Sequence, residues 1–259
     1  SLKCKAELKG DKYIINGTKI WTTHAHHANK IFCLVRTDSS EKPQAGITFI
    51  MVDMDQPGIK VEPIITIAKD HDVNQVIFTD AEAKVTDRIG KQGEGWTVAK
   101  YLLEFERGGG VVSARAFRAI NYTKKLADNI SLDDGLTMMS SPEYLQKFAD
   151  LEIRAQAVQY TELRSLSSMK EGGSPGPESS MMKNLGAELQ QDISELALEI
   201  IGYYGNAFQD TSYGSNETAV GDESYLTVAG SYQNLRAASI YGGSKEVQKN
   251  IIAKAVLGL

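Results

Sequence analysis

Glu106, in Leu103-Glu104-Phe105-Glu106-Arg107, is a carboxylate set in apolar text and followed by a cation. A carboxylate desolvated against apolar walls becomes a stronger base, which suits it to removing a proton from a reacting group. Arg107 is placed either to position that carboxylate and line a pocket, or to sit solvated on a helix surface. By residue type alone, Glu106 is equally an ordinary surface acid. Glu104 precedes it by two residues, roughly 160° away around an ideal helix, so the two acids cannot face one point. Two glycine-bearing turns offer different chemistry: Ile201-Gly202-Tyr203-Tyr204-Gly205 and Gly242-Gly243-Ser244-Lys245-Glu246. Glycine lets a backbone approach closely and leaves N–H donors open to phosphate. The same glycines also end helices, and Ser244 is equally an N-cap for the last one.

Trp21-Thr22-Thr23 reads as strand, so Trp21 and Thr23 share a face with Thr22 between them. A lone strand tryptophan is usually core. His24, His26 and His27 follow at once. They invite a metal, but zinc needs three or four ligands in set geometry, and adjacent strand-end side chains diverge. We therefore assign no metal, and read these histidines as the rim of a substrate or subunit contact. Gly108-Gly109-Gly110 lacks the Lys-Ser/Thr of a nucleotide loop.

Two kinds of text must position these residues. Residues 1 to 90 read as short strands: Lys3 to Leu8, Lys12 to Asn16, Lys19 to Thr23, Ile31 to Arg36, Gly46 to Met54, Ile59 to Ile67 and Val73 to Val85. Asn16-Gly17 is the strongest hairpin signal among them. An antiparallel β-barrel or sandwich is expected. Residues 91 to 259 carry helical spacing. One long helix runs from Trp96 to Leu126 and is interrupted at Gly108–Gly110, which predicts a kink or a close approach there. A second begins at Pro142, with Leu145, Phe148, Leu151, Ala155, Val158, Glu162 and Leu166 along one side. A third covers Ser179 to Ile201, with Met182, Leu185, Leu189, Ile193, Leu196 and Ile200 inward. A last helix or helix pair spans Glu223 to Leu257. Four such segments predict an up-down four-helix bundle, making the chain a multidomain α and β protein.

The 259 residues, 42% hydrophobic, suffice for two domains with real cores. A net charge of -5 lacks the basic footprint of a nucleic-acid binder. No apolar run approaches the roughly 20 residues of a membrane span. Cys4 and Cys33 fit no disulfide framework, which points to a reducing compartment with both thiols buried. The chain opens directly into strand text, without signal or transit sequence.

Three motifs in one order extend this reading. Asn16-Gly17-Thr18-Lys19-Ile20-Trp21-Thr22-Thr23 resembles the middle β-domain of acyl-CoA dehydrogenases. Gly90-x-x-Gly93-x-Gly95-Trp96 resembles their junction into a C-terminal helical domain. Ser239-Ile240-Tyr241-Gly242-Gly243-Ser244-Lys245-Glu246-Val247-Gln248 resembles their C-terminal signature. The text around Trp21, with Pro63 to Thr66 and Asp72-Val73-Asn74, looks closest to large subunits of pimeloyl-CoA-type dehydrogenases.

The resemblance implies FAD-dependent α,β-desaturation of an acyl-CoA, by α-proton abstraction and hydride transfer to flavin N5. In many of these enzymes the residue after Ile-Tyr is the catalytic glutamate; here it is Gly242. Glu106 matches the alternative base of long-chain and isovaleryl-type relatives, which reaches the same carbon from another helix. The likeness places Trp21, Thr22 and Thr23 against the isoalloxazine, and Gly202, Gly243, Ser244 and Glu246 where relatives contact FAD. It implies an electron-transfer flavoprotein-type acceptor, a homo- or hetero-oligomer joined through the helices, and a bacterial cytoplasmic setting.

Two departures stand out. The text of the family's N-terminal helical domain is absent, and Asp128 to Met139 replaces an Arg-x-x-Phe-Gly flavin contact. These keep two alternatives open: a non-catalytic subunit of a heteromeric dehydrogenase, and a flavin mono-oxygenase on the same scaffold. A mono-oxygenase needs no α-proton base, so Glu106 counts against it.

Overall fold

The computed structural model describes all but residues 1, 40–43, 108–110, 133–134, 171–175, 208 and 210–215. For Glu104, Phe105, Arg107, Met169 and Lys170 it describes the backbone alone. The expected kink at Gly108–Gly110 and most of the breaker at Gly172–Pro177 lie outside the described residues. The chain divides into two compact units, Ser1–Leu103 and Glu104–Leu259.

Seven strands make one sheet in the first unit: β1 Lys5–Lys9, β2 Lys12–Thr23, β3 Lys30–Arg36, β4 Ile47–Asp53, β5 Ile59–Ile64, β6 Val73–Lys84 and β7 Arg88–Ile89. Their order is β5-β6-β2-β1-β3-β4-β7. The pairs are antiparallel except β1 with β3, which meet in parallel at Lys5 and Arg36, so the sheet is mixed. It curls until β4 lies against β6, four places away in the order. Inside the curl, Tyr13, Ile15, Cys33, Val35, Ile50, Val52, Val76 and Phe78 form one buried cluster. Each large apolar side chain there contributes about 1.5–3 kcal/mol by leaving water. The Tyr13 hydroxyl donates to Gln92 Oε1 at 2.9 Å and accepts from Arg88 at 3.1 Å, which fastens the segment leaving β6 and β7 to the core.

Asn16-Gly17 does not turn the chain. β2 runs straight through it, and the β1–β2 hairpin closes earlier, at Gly10-Asp11. The pairing of β2 with β6 shifts register between Ile15 and Gly17, so the pair marks a β-bulge. Gly17 is needed there for space as well as for its φ of 139°: a Cβ on it would come within 2.7 Å of the Cα of Cys4, the residue before β1.

Both cysteines are free and buried. Burial raises the Cys4 thiol and pushes Cys33 up to about 12. Native protein at about pH 8 should therefore leave both thiols unmodified by iodoacetamide, and unfolding should release both. Rapid native alkylation of either would contradict this burial.

In the second unit, α1 Gly95–Arg107 ends and α2 Val112–Asp128 begins, so the single long helix expected from Trp96 to Leu126 is two helices. α3 Pro142–Lys170 and α4 Glu178–Ile201 follow close to their expected bounds. α2, α3 and α4 pack mutually around Ala116, Ile120, Leu126, Phe148, Leu151, Ala155, Leu189, Ile193, Leu196 and Ile200. The expected fourth segment is two eight-residue helices, α5 Val228–Leu235 and α6 Lys245–Ile252, both resting on α4. Gly242 and Gly243, with φ of 66° and 93°, turn the backbone out of helical geometry between them. Leu185, expected inward, is exposed, as are Leu145 and Leu166 at the ends of the α3 stripe.

Glu162, on the inward stripe of α3, is 4% exposed. It serves as the missing cap of α2, whose own N-cap Val111 offers no side-chain acceptor. Its carboxylate accepts from the Val112 N–H at 2.7 Å, the Ser113 N–H at 3.3 Å and the Ser113 hydroxyl. A carboxylate at the positive end of a helix satisfies orphan donors and the helix dipole together.

Candidate functional site

The site residues fall in both units. In the sheet, Trp21 is not core: its indole is 64% exposed. The β2–β6 pairing shifts again between Lys19 and Thr22, and Trp21 takes a φ of +60° inside that bulge. A bulky residue there costs on the order of 1–3 kcal/mol and persists only where its surroundings hold it. His24, three residues on, also has a positive φ of 56°. The bulge explains why Ile20 and Trp21 are exposed in succession, which plain alternation forbids. Thr22 is half-buried, and Trp21 and Thr23 on either side of it are exposed.

The turn after β2 brings all four histidines of the chain together. His26 stacks on His71 with ring centroids 4.0 Å apart, and His27 lies 3.9 Å from His26. His24 Nδ1 faces Asp72 at 3.5 Å, and its backbone N–H donates to the Asp72 carbonyl. Burial, then the nearby imidazoles of His27 and His71, hold His26 below its ordinary value. Asn74 sits beneath them, fully buried. His26, His71 and Asn74 form one wall of a cleft of about 350 Å³ whose floor is Met54, Ile59, Val61 and Pro63. Among the described residues no group of three or more His, Cys, Asp or Glu is placed to hold a metal ion.

In the helical unit, Glu106 lies in the last turn of α1 and is exposed. The apolar walls expected around it are not supplied by the described residues. The Arg107 side chain lies outside them. Gly242 is open: a Cβ there would find only Lys183 Cε, at 3.9 Å. Lys183 donates to the Ala238 carbonyl at 3.1 Å, and burial raises the hydroxyl of neighbouring Tyr241 against the opposing pull of Arg115. Ser244 caps α6, its hydroxyl accepting from the Val247 N–H at 3.4 Å. Glu246 occupies the first turn, its carboxyl lowered by its own backbone N–H and then by the Ser244 hydroxyl. Gly202 is the C-cap of α4, its N–H donating to the Leu198 and Glu199 carbonyls; of the two roles its text allowed, this is the one the geometry displays.

Several residues here escaped sequence reasoning. Gln248, one turn beyond Ser244, is fully buried, and neither end of its amide has a partner among the described residues. Asn184 on α4 donates to the Lys245 carbonyl at 3.3 Å while its Oδ1 is likewise unpartnered. Such orphaned atoms carry a cost on the order of 1–3 kcal/mol each unless something else satisfies them. A polar side chain at an inward helical position was the available signal for both. His71 and Asn74 carried no local signal, because only the fold brings them to the turn after β2.

Comparison with known proteins agrees with this architecture. The family description "Acyl-CoA dehydrogenase, C-terminal domain" matches residues 93–257, and "Acyl-CoA dehydrogenase, middle domain" matches residues 1–81. The chain is 32% identical to the acyl-CoA dehydrogenase IpdE1 of Mycobacterium tuberculosis, over 100% of its own length and 63% of that protein's. It is 30% identical to IpdE1 of Mycolicibacterium smegmatis, covering 96% of this chain and 59% of that one. Among solved structures, the ChsE4-ChsE5 complex from Mycobacterium tuberculosis superposes with a TM-score of 0.83 at 26% identity, covering all of this chain and 65% of the other. The chain thus spans a little under two thirds of the length of these relatives.

Proposed function

The chain belongs to the acyl-CoA dehydrogenase family, and from that premise we propose that it provides the base and a flavin-packing strand of an FAD-dependent dehydrogenase that desaturates an acyl-CoA between Cα and Cβ. FAD, when bound, supplies the two-electron oxidant that takes the Cβ hydride. Glu106 takes the Cα proton, and Arg107 positions its carboxylate. The exposed Trp21 indole packs against the ring system, with Thr22 and Thr23 beside it as hydrogen-bonding groups. Gly243, Ser244 and Glu246 offer donors and a tight backbone at the start of α6. The residues present fit a large polar cofactor: the orphaned amide of Gln248 and Oδ1 of Asn184 lie beside that same turn. Gly202, already bonded as a helix cap, is the weakest member of the set.

The observation that carries the reading is the open position at Gly242 in a chain that retains Glu106 on α1. Among the described residues Glu106 makes no ion pair that would neutralise it. An electron-transfer flavoprotein-type acceptor would then reoxidise the cofactor. Ile153, Tyr160 and Leu163, exposed at helical spacing on α3, support assembly into homo- or hetero-oligomers through the helices.

One observation favours a second reading. Glu106 is exposed, which suits a non-catalytic subunit of a heteromeric dehydrogenase whose base lies elsewhere. Anaerobic mixing of the flavin-loaded protein with acyl-CoAs of several chain lengths separates the two. Bleaching of the flavin by at least one of them, and not by free CoA, is expected. A flavin that no acyl-CoA bleaches would favour the non-catalytic subunit.

Trp21→Ala should weaken flavin retention about tenfold, the value of one well-placed aromatic contact. Ultrafiltration followed by absorbance of the retained flavin checks this, with far-UV circular dichroism as the control for folding. Unchanged retention would remove Trp21 from the flavin face.

A further inference from the structure

Trp21 holds a backbone conformation its residue type disfavours, at a point where the ladder gives no help: β2 and β6 lose register between Lys19 and Thr22. Asn74, opposite Thr22 on β6, supplies the missing bond from its side chain. Its Nδ2 donates to the Thr22 carbonyl at 3.1 Å. A carbonyl only accepts, so this contact fixes which end of the amide faces β2. The same Nδ2 lies 3.0 Å from His26 Nδ1. That ring nitrogen must then be an acceptor, and His26 is the neutral, Nε2-protonated tautomer. On the other side, Asn74 Oδ1 lies 2.7 Å from His71 Nε2, which must donate. All three polar bonds of a fully buried amide are thereby assigned, and they allow no proton on His26 Nδ1.

We propose that Asn74 is a positioning residue that locks the Trp21–Thr23 bulge, and that its bond to His26 makes the lock proton-sensitive. A proton on His26 Nδ1 would set donor against donor. Turning the amide over would set its oxygen against the Thr22 carbonyl instead. Either outcome releases the strained segment.

The groups around His26 reinforce this. His24 and His27 in its own turn and His71 from the segment before β6 all repel a second positive charge. Of the nearby acids, Asp72 is directed at His24, and Asp55 lines the cleft from beyond β4 without pairing to His26. Because the folded protein disfavours protonated His26, the lock is complete above the ordinary imidazole value of about 6.5 and is lost as pH falls through the lower folded value. The consequence for cofactor binding rests on Trp21 being the flavin face; the lock itself does not.

The test uses the protein with Trp96→Phe, which leaves Trp21 as its one tryptophan. Its emission should be constant at neutral and alkaline pH and change in a single step below about pH 6.5. His26→Gln, a neutral acceptor, should abolish the step, and His24→Gln should keep it. Asn74→Asp keeps the side-chain shape but sets a carboxylate oxygen against the Thr22 carbonyl, so the segment should be released at every pH and the step should be absent. An unaltered step in His26→Gln, or identical profiles for Asn74→Asp and its parent, would overturn the proposal. If Asn74→Asp does not fold, the His26→Gln comparison decides alone. Flavin retention over the same pH range should fall on the order of tenfold with the same midpoint. An emission step without that fall upholds the lock and removes Trp21 from the flavin face.

Discussion

Glu106→Gln is expected to lower turnover of an acyl-CoA on the order of 10³-fold, with KM changed by no more than about twofold. The amide keeps the shape of the side chain and its place in the last turn of α1. It loses the ability to accept a proton from carbon, which is a transition-state property and leaves ground-state binding nearly intact. A loss of this size corresponds to about 4 kcal/mol of activation free energy. Glu104→Gln is the internal control. On an ideal helix residues two positions apart differ by roughly 160°, so its replacement should leave turnover within about twofold. Steady-state assays with an artificial electron acceptor distinguish the two variants, and equal losses in both would mean that neither is the base.

Glu162→Ala carries the largest expected effect on stability. Three donors at the start of α2 converge on its buried carboxylate: the N–H groups of Val112 and Ser113 and the Ser113 hydroxyl. Removing the acceptor strands them away from water and leaves a cavity between α2 and α3. The sum is a destabilisation of about 3 kcal/mol. Glu162→Gln, which keeps one acceptor oxygen, should cost roughly half as much. Urea unfolding checks both, as a lowered midpoint with an unchanged slope. A midpoint for Glu162→Ala equal to that of the parent would mean the cap is not formed in solution.

What sequence conveyed, and what it did not, follows from the range of the forces involved. The α3 and α4 helices were legible because apolar spacing is local: Phe148, Leu151, Ala155 and Val158, like Leu189, Ile193, Leu196 and Ile200, are buried as their periodicity requires. Asn16-Gly17 misled because a two-residue turn and a β-bulge ask for the same residues. The choice was made by Cys4, thirteen residues before Gly17 in sequence, whose Cα approaches it. The start of α2 gave no local signal for its cap, because the carboxylate that caps it comes from Glu162, 50 residues on. Trp21 was identifiable by motif, but its positive φ and the amide that holds it were not. Asn74 meets Thr22 only through strand pairing. The last helical segment divided into α5 and α6 because two consecutive glycines sit in left-handed conformations, a feature that pattern alone had assigned to a turn without fixing its consequence.

The removal of the α-proton can be followed apart from every later step. The flavin-loaded protein is incubated with a saturated acyl-CoA in deuterated water, and the exchange of its α-hydrogens is read by mass spectrometry. The account predicts exchange with the parent protein, none with Glu106→Gln, and partial recovery when Gly242→Glu is added to that variant, where a Cβ meets only Lys183 Cε at 3.9 Å while the φ of +66° strains any residue other than glycine. Exchange that continues undiminished in Glu106→Gln would contradict it.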